Sequence, residues 1–338
     1  NQCNGTYCYV YLEEWMFSGG NFRAVKLMSH NKDNNSSKNS ENCGRSNDMC
    51  VFTPTYNRAY CLSGLFASLC RQTVSNFNWL IVDDGSTDET EELIERFMEV
   101  SFFPITYIKQ QNGGKQRAHN CGVNASNSEL FICVDSDDKL VDSALQEVWN
   151  CWQKNKFNNK VAGIIALQGS AEGVPHGTKM PEGLKLTTMW DLYYKYKHKG
   201  DTVHIYRTDI LKKYPFEVEE GEKFIAETYV YHQIDQKYLL AVLPSVIYVS
   251  EYLNDGYTKN VRKVTRENPR GYSKLKRLFI TYSHTPDLII KNTILYMVGC
   301  MLASDVLRGI KEAPYRWLAI LVMPLSYVLC KTIYRKHI

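Results

Sequence analysis

From Cys50 onward, apolar runs and polar breaks alternate along the chain. "CVFT" (50–53) is short and apolar, as a buried strand requires, and "PTYNR" breaks it. Leu62, Leu65, Phe66 and Leu69 then recur at helical spacing within residues 59–72. "FNWLIVD" (77–83) predicts a second buried strand. In "GSTDE" after it, Ser86 and Glu89 have the spacing of a capping box and open a helix carrying Leu93, Ile94 and Phe97. "ITYIK" (105–109) is a third strand, "QNGG" a turn and 115–126 a helix. "LFICVD" (130–135) is a fourth strand, followed by a helix with Leu145, Val148, Trp149 and Trp152, and "VAGIIAL" (161–167) is a fifth. Strands alternating with helices predict an α/β fold with a parallel sheet covered on both faces. In such sheets ligands bind outside the carboxyl ends of the strands. "PTYNR", "DDGS" and "DSDD" all fall at that edge, so residues far apart in sequence are expected to converge on one rim.

The pattern changes at both ends. Residues 29–48 hold six Asn and five Ser and no aliphatic or aromatic residue. Such a stretch buries too little to offset its ordering entropy. Residues 1–48 are therefore expected to be a disordered or non-native segment, with Met49 as the natural start; a tethering arm is the rival. Residues 49–250 are expected to form the catalytic-type domain and 251–338 a helical extension. In that extension Trp317 to Cys330 is nearly all apolar, is interrupted by Pro324, and is flanked by Arg308, Lys311, Arg316, Lys331, Arg335 and Lys336. Fourteen residues are too few to span a bilayer comfortably. The run suits either an interfacial membrane anchor, with Trp317 and Tyr327 at the headgroup boundary, or a helix packed on the domain.

Composition narrows the function. The chain has 338 residues, 44% of them apolar and 22% charged, and a net charge of +4 without a Lys/Arg block. Nucleic acid is not an expected partner. Eleven cysteines form no Cys-x-x-Cys pair, which predicts reduced thiols in a cytosolic protein rather than a zinc site or a disulfide framework.

The rim carries the candidate chemistry. Asp135, Asp137 and Asp138 follow an apolar strand, and hard divalent cations such as Mg²⁺ and Mn²⁺ prefer carboxylate oxygens completed by substrate phosphates. Acids decorating a helix N-terminus are the alternative. Asp83 and Asp84 end another strand, where an acid can accept hydrogen bonds from a ribose or a base. A dinucleotide-binding oxidoreductase would need a Gly-x-Gly-x-x-Gly turn after the first strand, and "PTYNR" is not one. "NGGKQRAHN" fails the phosphate-loop pattern because Gln116 follows Lys115; Arg117 is still a candidate diphosphate or nucleotide contact. His204, within the alternating "TVHIY", reads as an incidental strand histidine.

"TPTYNR", "VDDGSTDET", "NGGKQRAHN" and "VDSDD", in this order, resemble the inverting nucleotide-sugar glycosyltransferases of family two, over about residues 50–260. The resemblance implies the GT-A fold, a Rossmann-like, mostly parallel sheet flanked by helices. It implies Pro54, Thr55, Tyr56 and Arg58 in a nucleotide pocket, Asp84 on the base with Asp83 beside it, and Arg117 near the nucleotide. Asp135 and Asp137 would contact the nucleotide, and Asp137 and Asp138 a Mn²⁺ or Mg²⁺ ion. An inverting transfer needs a general base. The family places it in a Glu-Asp pair; here Glu227 is followed by Thr228, so Glu227 is the candidate and Glu222 the second. Asp201 would touch the donor sugar. The stretch 200–228 and "EYLNDGYT" (251–258) are similar to bacterial members that build capsule or other surface polysaccharides. Processive synthases carry Gln-x-x-Arg-Trp, whereas "APYRW" (313–317) has Ala313, which implies a non-processive enzyme. A nucleotide-sugar donor, a glycan or lipid-linked acceptor, and peripheral contact with the inner face of the cell membrane are expected. A catalytically degenerate nucleotide- or glycan-binding protein of the same fold is the alternative.

Overall fold

The computed structural model describes residues 48–250 and 261–334, and the described residues from Asp48 onward belong to one compact unit. The readings of residues 1–47, of "EYLNDGYT", and of Arg335 and Lys336 lie outside the described residues.

The described residues build one nine-stranded sheet. The strands are β1 (Met49–Thr55), β2 (Phe77–Asp83), β3 (Ile105–Lys109), β4 (Leu130–Cys133), β5 (Lys139–Leu140), β6 (Val161–Gly169), β7 (Leu186–Thr187), β8 (Thr202–Arg207) and β9 (Leu239–Val249). Their order is β3-β2-β1-β4-β8-β6-β9-β5, with β7 also on β9. The first four are parallel neighbours. The parallel expectation stops there, because β8 runs antiparallel between β4 and β6. The strand predicted from "VAGIIAL" is β6, but it pairs with β8 and β9 instead of extending the parallel half.

Strand β1 shows why both faces must be covered. Met49 and Val51 pack into the cluster beneath α1 (Ala59–Cys70), α2 (Thr90–Val100) and α4 (Ala144–Asn155). Cys50 and Phe52 face the opposite cluster, with Ala118 and Val123 of α3 (Lys115–Ala125). Period-two alternation between two buried faces makes the strand apolar throughout. Trp79 is fully buried, and its Nε1–H donates to Thr53 Oγ1 at 2.9 Å, so its one polar atom is satisfied. Gly122 lets α3 lie close to the sheet: a Cβ there would stand 2.3 Å from the Phe52 ring.

The second face continues through α5 (Met189–Tyr194), α6 (Thr208–Leu211) and α7 (Thr228–Asp235). After α8 (Val261–Glu267), α9 (Pro269–Tyr282) joins the same core through Leu275 and Phe279. The remaining helices are α10 (Pro286–Leu302), α11 (Val306–Glu312), α12 (Arg316–Leu321) and α13 (Met323–Ile333), which gather around Tyr296, Met297, Leu318, Ala319 and Val322. The apolar run is thus two short helices, and among the described residues no helix is long and apolar enough to cross a membrane. One face of it packs on α10; Trp317, Ile320, Leu321, Leu325, Tyr327 and Val328 are exposed.

The predicted capping box does not form. Helix α2 begins at Thr90 with no side-chain cap. Ser86 Oγ instead accepts the Asn57 N–H at 2.8 Å. A hydroxyl at this spacing has two backbone donors to choose between, and the distant one wins. The described cysteines are free thiols.

Candidate functional site

Four loops meet at the carboxyl ends of the parallel strands, and the hydrogen bonds between them explain their conformations. After β1, Asn57 adopts φ 52°, which asparagine tolerates better than most residues. Its N–H reaches Ser86, and its Oδ1 accepts from Thr87 N at 2.8 Å, clipping the first loop to the one after β2. Asp83 ends β2 fully buried. Its carboxylate accepts from Ser86 N and from the Tyr107 hydroxyl, each at 2.7 Å. Asp84 takes three donors from the next loop: Gln110 Nε2 at 2.7 Å, Gly113 N at 2.8 Å and Gly114 N at 2.7 Å. Gly114 has φ 96°, and a Cβ on it would lie 2.1 Å from the Lys223 carbonyl oxygen.

After β4 the chain turns, with Asp138 N donating to Asp135 O at 3.1 Å. The buried Tyr248, at the end of β9, holds this turn from behind. Its oxygen accepts the Asp135 N–H at 3.0 Å, and its O–H donates to Asp138 Oδ2 at 2.7 Å. Burial pushes the Asp138 carboxyl up to about 7, with Asp135 and Asp137 adding to the rise and the Tyr248 hydrogen bond opposing it. Asp137 pairs with Arg58 at 2.9 Å, and Asp135 with Lys115 at 2.7 Å. Lys115 also pairs with Glu227 at 2.8 Å, so α3 and the N-terminus of α7 are joined across the rim.

These groups line one cavity of about 1000 Å³, at the upper end of the range usual for small-molecule sites. Of the predicted residues it contains Pro54, Thr55, Tyr56, Arg58, Asp84, Asp135, Asp137, Asp138, Asp201 and Glu227. Asp83 and Arg117 are not in its lining. Asp83 is consumed by the turn after β2, as above. Arg117 donates to the carbonyls of Gly113 and Glu222 at 2.7 Å and of Glu219 at 3.0 Å, which makes it a clamp between two loops. Glu222 is also set apart: it is buried and accepts the N–H groups of Arg270 at 2.7 Å and Gly271 at 2.8 Å, capping the start of α9. A second cavity of about 70 Å³, lined from α9, α10 and α11 and crossed by the ion pairs Arg270–Asp305 and Arg277–Glu312, holds none of the predicted residues.

Lys115 and Tyr248 were not singled out for a site role from the sequence, and His204 was passed over. His204 lines the cavity and packs against Tyr231, the two rings tilted 30° with centroids 4.6 Å apart. Burial pushes its pKa down to about 4, so it is neutral at physiological pH. A lysine in a glycine turn and a tyrosine at a strand end carry no signal of their own; the paired carboxylates were the only available hint.

The donor set suits a hard cation. Carboxylate oxygens of Asp137 and Asp138 fit Mg²⁺ or Mn²⁺. Among the described residues no three His, Cys, Asp or Glu groups come together as a ready metal cage, and Asp137 is engaged by Arg58. Oxygens from a bound diphosphate would have to complete the coordination, as is usual for Mg²⁺.

Residues 50–215 match the family described as glycosyl transferase family 2. The chain is 38% identical over 101 residues to the glycosyltransferase GlyA of Streptococcus pneumoniae, covering 30% of this chain and 14% of that protein. It is 28% identical over 131 residues to the poly(ribitol-phosphate) beta-N-acetylglucosaminyltransferase TarP of Staphylococcus aureus, covering 38% and 39%. The chain therefore spans less than half the length of these relatives. The solved structure of S. aureus TarS in complex with UDP-GlcNAc superposes with a TM-score of 0.55 at 17% identity, covering 86% of this chain and 92% of that one. That likeness shows the fold, which is the GT-A fold.

Proposed function

Residues 50–215 of this chain are a family 2 glycosyltransferase domain, and from that premise we propose that the protein transfers a sugar from a UDP-sugar to a hydroxyl of a glycan or lipid-linked acceptor. The transfer is inverting, non-processive and metal-dependent, and it serves surface polysaccharide synthesis. One observation carries the reading: the loops after β1, β2 and β4 and the start of α3 meet in a single cavity that also holds Glu227. Pro54, Thr55, Tyr56 and Arg58 flank the nucleotide. Asp84 keeps lone-pair capacity for a base N–H, since a carboxylate offers about four acceptor sites and three donors are in place. Asp135 and Asp137 face the ribose and diphosphate, Asp201 the donor sugar, and Glu227 the acceptor hydroxyl.

Charge argues for the cation. The lining holds seven acids, Glu267 among them, against Arg58, Lys115 and Lys223. A diphosphate entering such a cavity is repelled unless a cation comes with it. Asp137 and Asp138 would hold Mn²⁺ or Mg²⁺, which supplies Lewis-acid stabilisation of charge on the departing diphosphate. Glu227 takes the acceptor proton.

UDP-GlcNAc is the first donor to try, because the TarS structure contains it and TarP is named for an N-acetylglucosaminyl transfer. The test is release of UDP from a panel of UDP-sugars with Mn²⁺ or Mg²⁺ and with chelator. Turnover that stops with chelator and in Asp137→Ala supports the reading; turnover unchanged in both contradicts it. A protein that binds UDP but never turns over is the degenerate alternative, which Thr228 in place of an Asp after Glu227 keeps open.

The exposed apolar face of α12 and α13, edged by Arg316 and Lys331, would lie on the inner leaflet of the cell membrane. Co-sedimentation with anionic vesicles should be lost in Trp317→Asp/Leu321→Asp; sedimentation equal to wild type refutes the membrane contact.

A further inference from the structure

Lys115 is the first residue of α3, and its side chain is 20% exposed. Its ammonium stands 2.7 and 2.9 Å from the two oxygens of Asp135 and 2.8 Å from Oε1 of Glu227. Burial alone would discharge it, but Asp135 and then Glu227 outweigh that penalty and raise its pKa well above the usual lysine value. The ammonium therefore stays charged between two carboxylates. One of these carboxylates ends the donor side of the rim and the other belongs to α7.

Glu227 needs this partner. It sits at the N-cap of α7 but makes no side-chain cap hydrogen bond. Its side chain is 41% exposed, and among the described residues Lys115 is its one ion-pair partner. A half-exposed carboxylate on a rotatable side chain has no fixed direction without a tether. The ion pair supplies the direction through Oε1 and leaves Oε2 open to a proton.

We propose that Lys115 is the positioning residue of the transfer step, fixing the Glu227 carboxylate relative to Asp135. This rests on the reading of Glu227 as the base. In the step, the acceptor hydroxyl oxygen bonds to the anomeric carbon and its proton passes to Glu227. The bond from the anomeric carbon to the diphosphate oxygen breaks, and its electron pair leaves with UDP. Lys115 touches neither the hydroxyl nor the anomeric carbon; it acts through Glu227.

The experiment compares Lys115→Met, Lys115→Arg, Glu227→Gln and the double variant Lys115→Met/Glu227→Gln in the full chain. The donor is whichever UDP-hexose wild type hydrolyses fastest, with water as acceptor, and UDP affinity is measured by calorimetry. Misaligned catalytic groups cost about 10²-fold. Lys115→Met should therefore lower kcat by about 10²-fold while UDP affinity stays within about threefold. Lys115→Arg should recover at least about tenfold of that loss. The double variant should be no slower than Glu227→Gln, because two residues acting as one unit are not additive. Should Lys115→Met not fold, Lys115→Gln, which keeps a polar end without the charge, takes its place with the same expectations. Wild-type kcat in Lys115→Met, or a loss of UDP affinity that parallels the loss of rate, overturns the proposal; the second outcome would make Lys115 a diphosphate contact. Full activity of Glu227→Gln instead overturns the base itself, so the two failures are told apart.

Discussion

Asp84 offers the sharpest link between fold and site. Replacing it with alanine removes one charged acceptor from Gln110 Nε2, Gly113 N and Gly114 N at once. Hydrogen bonds to a charged group contribute about 1.5–3 kcal/mol each. The two glycines are only half-buried, so water replaces part of what is lost. A net destabilisation of about 3–5 kcal/mol follows, which lowers the melting temperature by roughly 10 °C for a unit of this size. Asp84→Asn should cost less, about 2 kcal/mol, because an amide oxygen still accepts while its NH₂ opposes one glycine N–H. Thermal and urea denaturation measure both, and UDP titration on the folded protein measures the site. Because Asp84 also lines the cavity as the proposed base contact, UDP affinity should fall together with stability. An Asp84→Ala protein that melts within about 2 °C of wild type would refute the reasoning. Lost UDP affinity at unchanged stability would leave Asp84 as a ligand contact alone.

Three further outcomes are expected. Glu222→Gln should lower stability by about 1–2 kcal/mol through the weakened cap of α9 and leave turnover within about threefold of wild type; abolished turnover would return Glu222 to the catalytic candidates. Tyr248→Phe keeps the ring but loses the hydroxyl between Asp135 and Asp138, so Mn²⁺ affinity, measured with UDP present, should weaken about tenfold; unchanged affinity would show that the turn holds itself. Gly114→Ala meets both a positive φ and the Lys223 carbonyl, and denaturation should show a loss of about 2–4 kcal/mol; an unchanged midpoint would mean that the two loops separate freely.

Much of this was legible in the sequence, and the failures have physical causes. Strands β1, β2 and β4 were readable because both their faces are buried, and β3, a partly exposed edge strand, because turn residues bound a short β-branched and aromatic run. Their shared carboxyl edge then brought Pro54, Thr55, Tyr56, Arg58, Asp84 and Asp135 to Asp138 into one cavity. The strand in "TVHIY" was readable but the antiparallel direction of β8 was not, because the alternation is the same whichever way its neighbours run. Asp83, Asp84 and Arg117 sit in the right motifs, but a motif does not say which polar side chain faces the ligand and which shapes the loop. Adjacent aspartates parted here: Asp83 turned into the sheet and Asp84 to the rim. Ser86 has the spacing of a cap and found Asn57 instead. Lys115 joins Asp135 and Glu227 only once β4, α3 and α7 are packed, and no local pattern encodes that meeting.

The most direct measurement of the central claim is a crystal structure of the protein with UDP and Mn²⁺. The account predicts the uracil beside Asp84, the diphosphate over the Asp135–Asp138 turn near Arg58, and the ion held by Asp137 and Asp138. A nucleotide bound elsewhere, or an ion held away from these two aspartates, would contradict it.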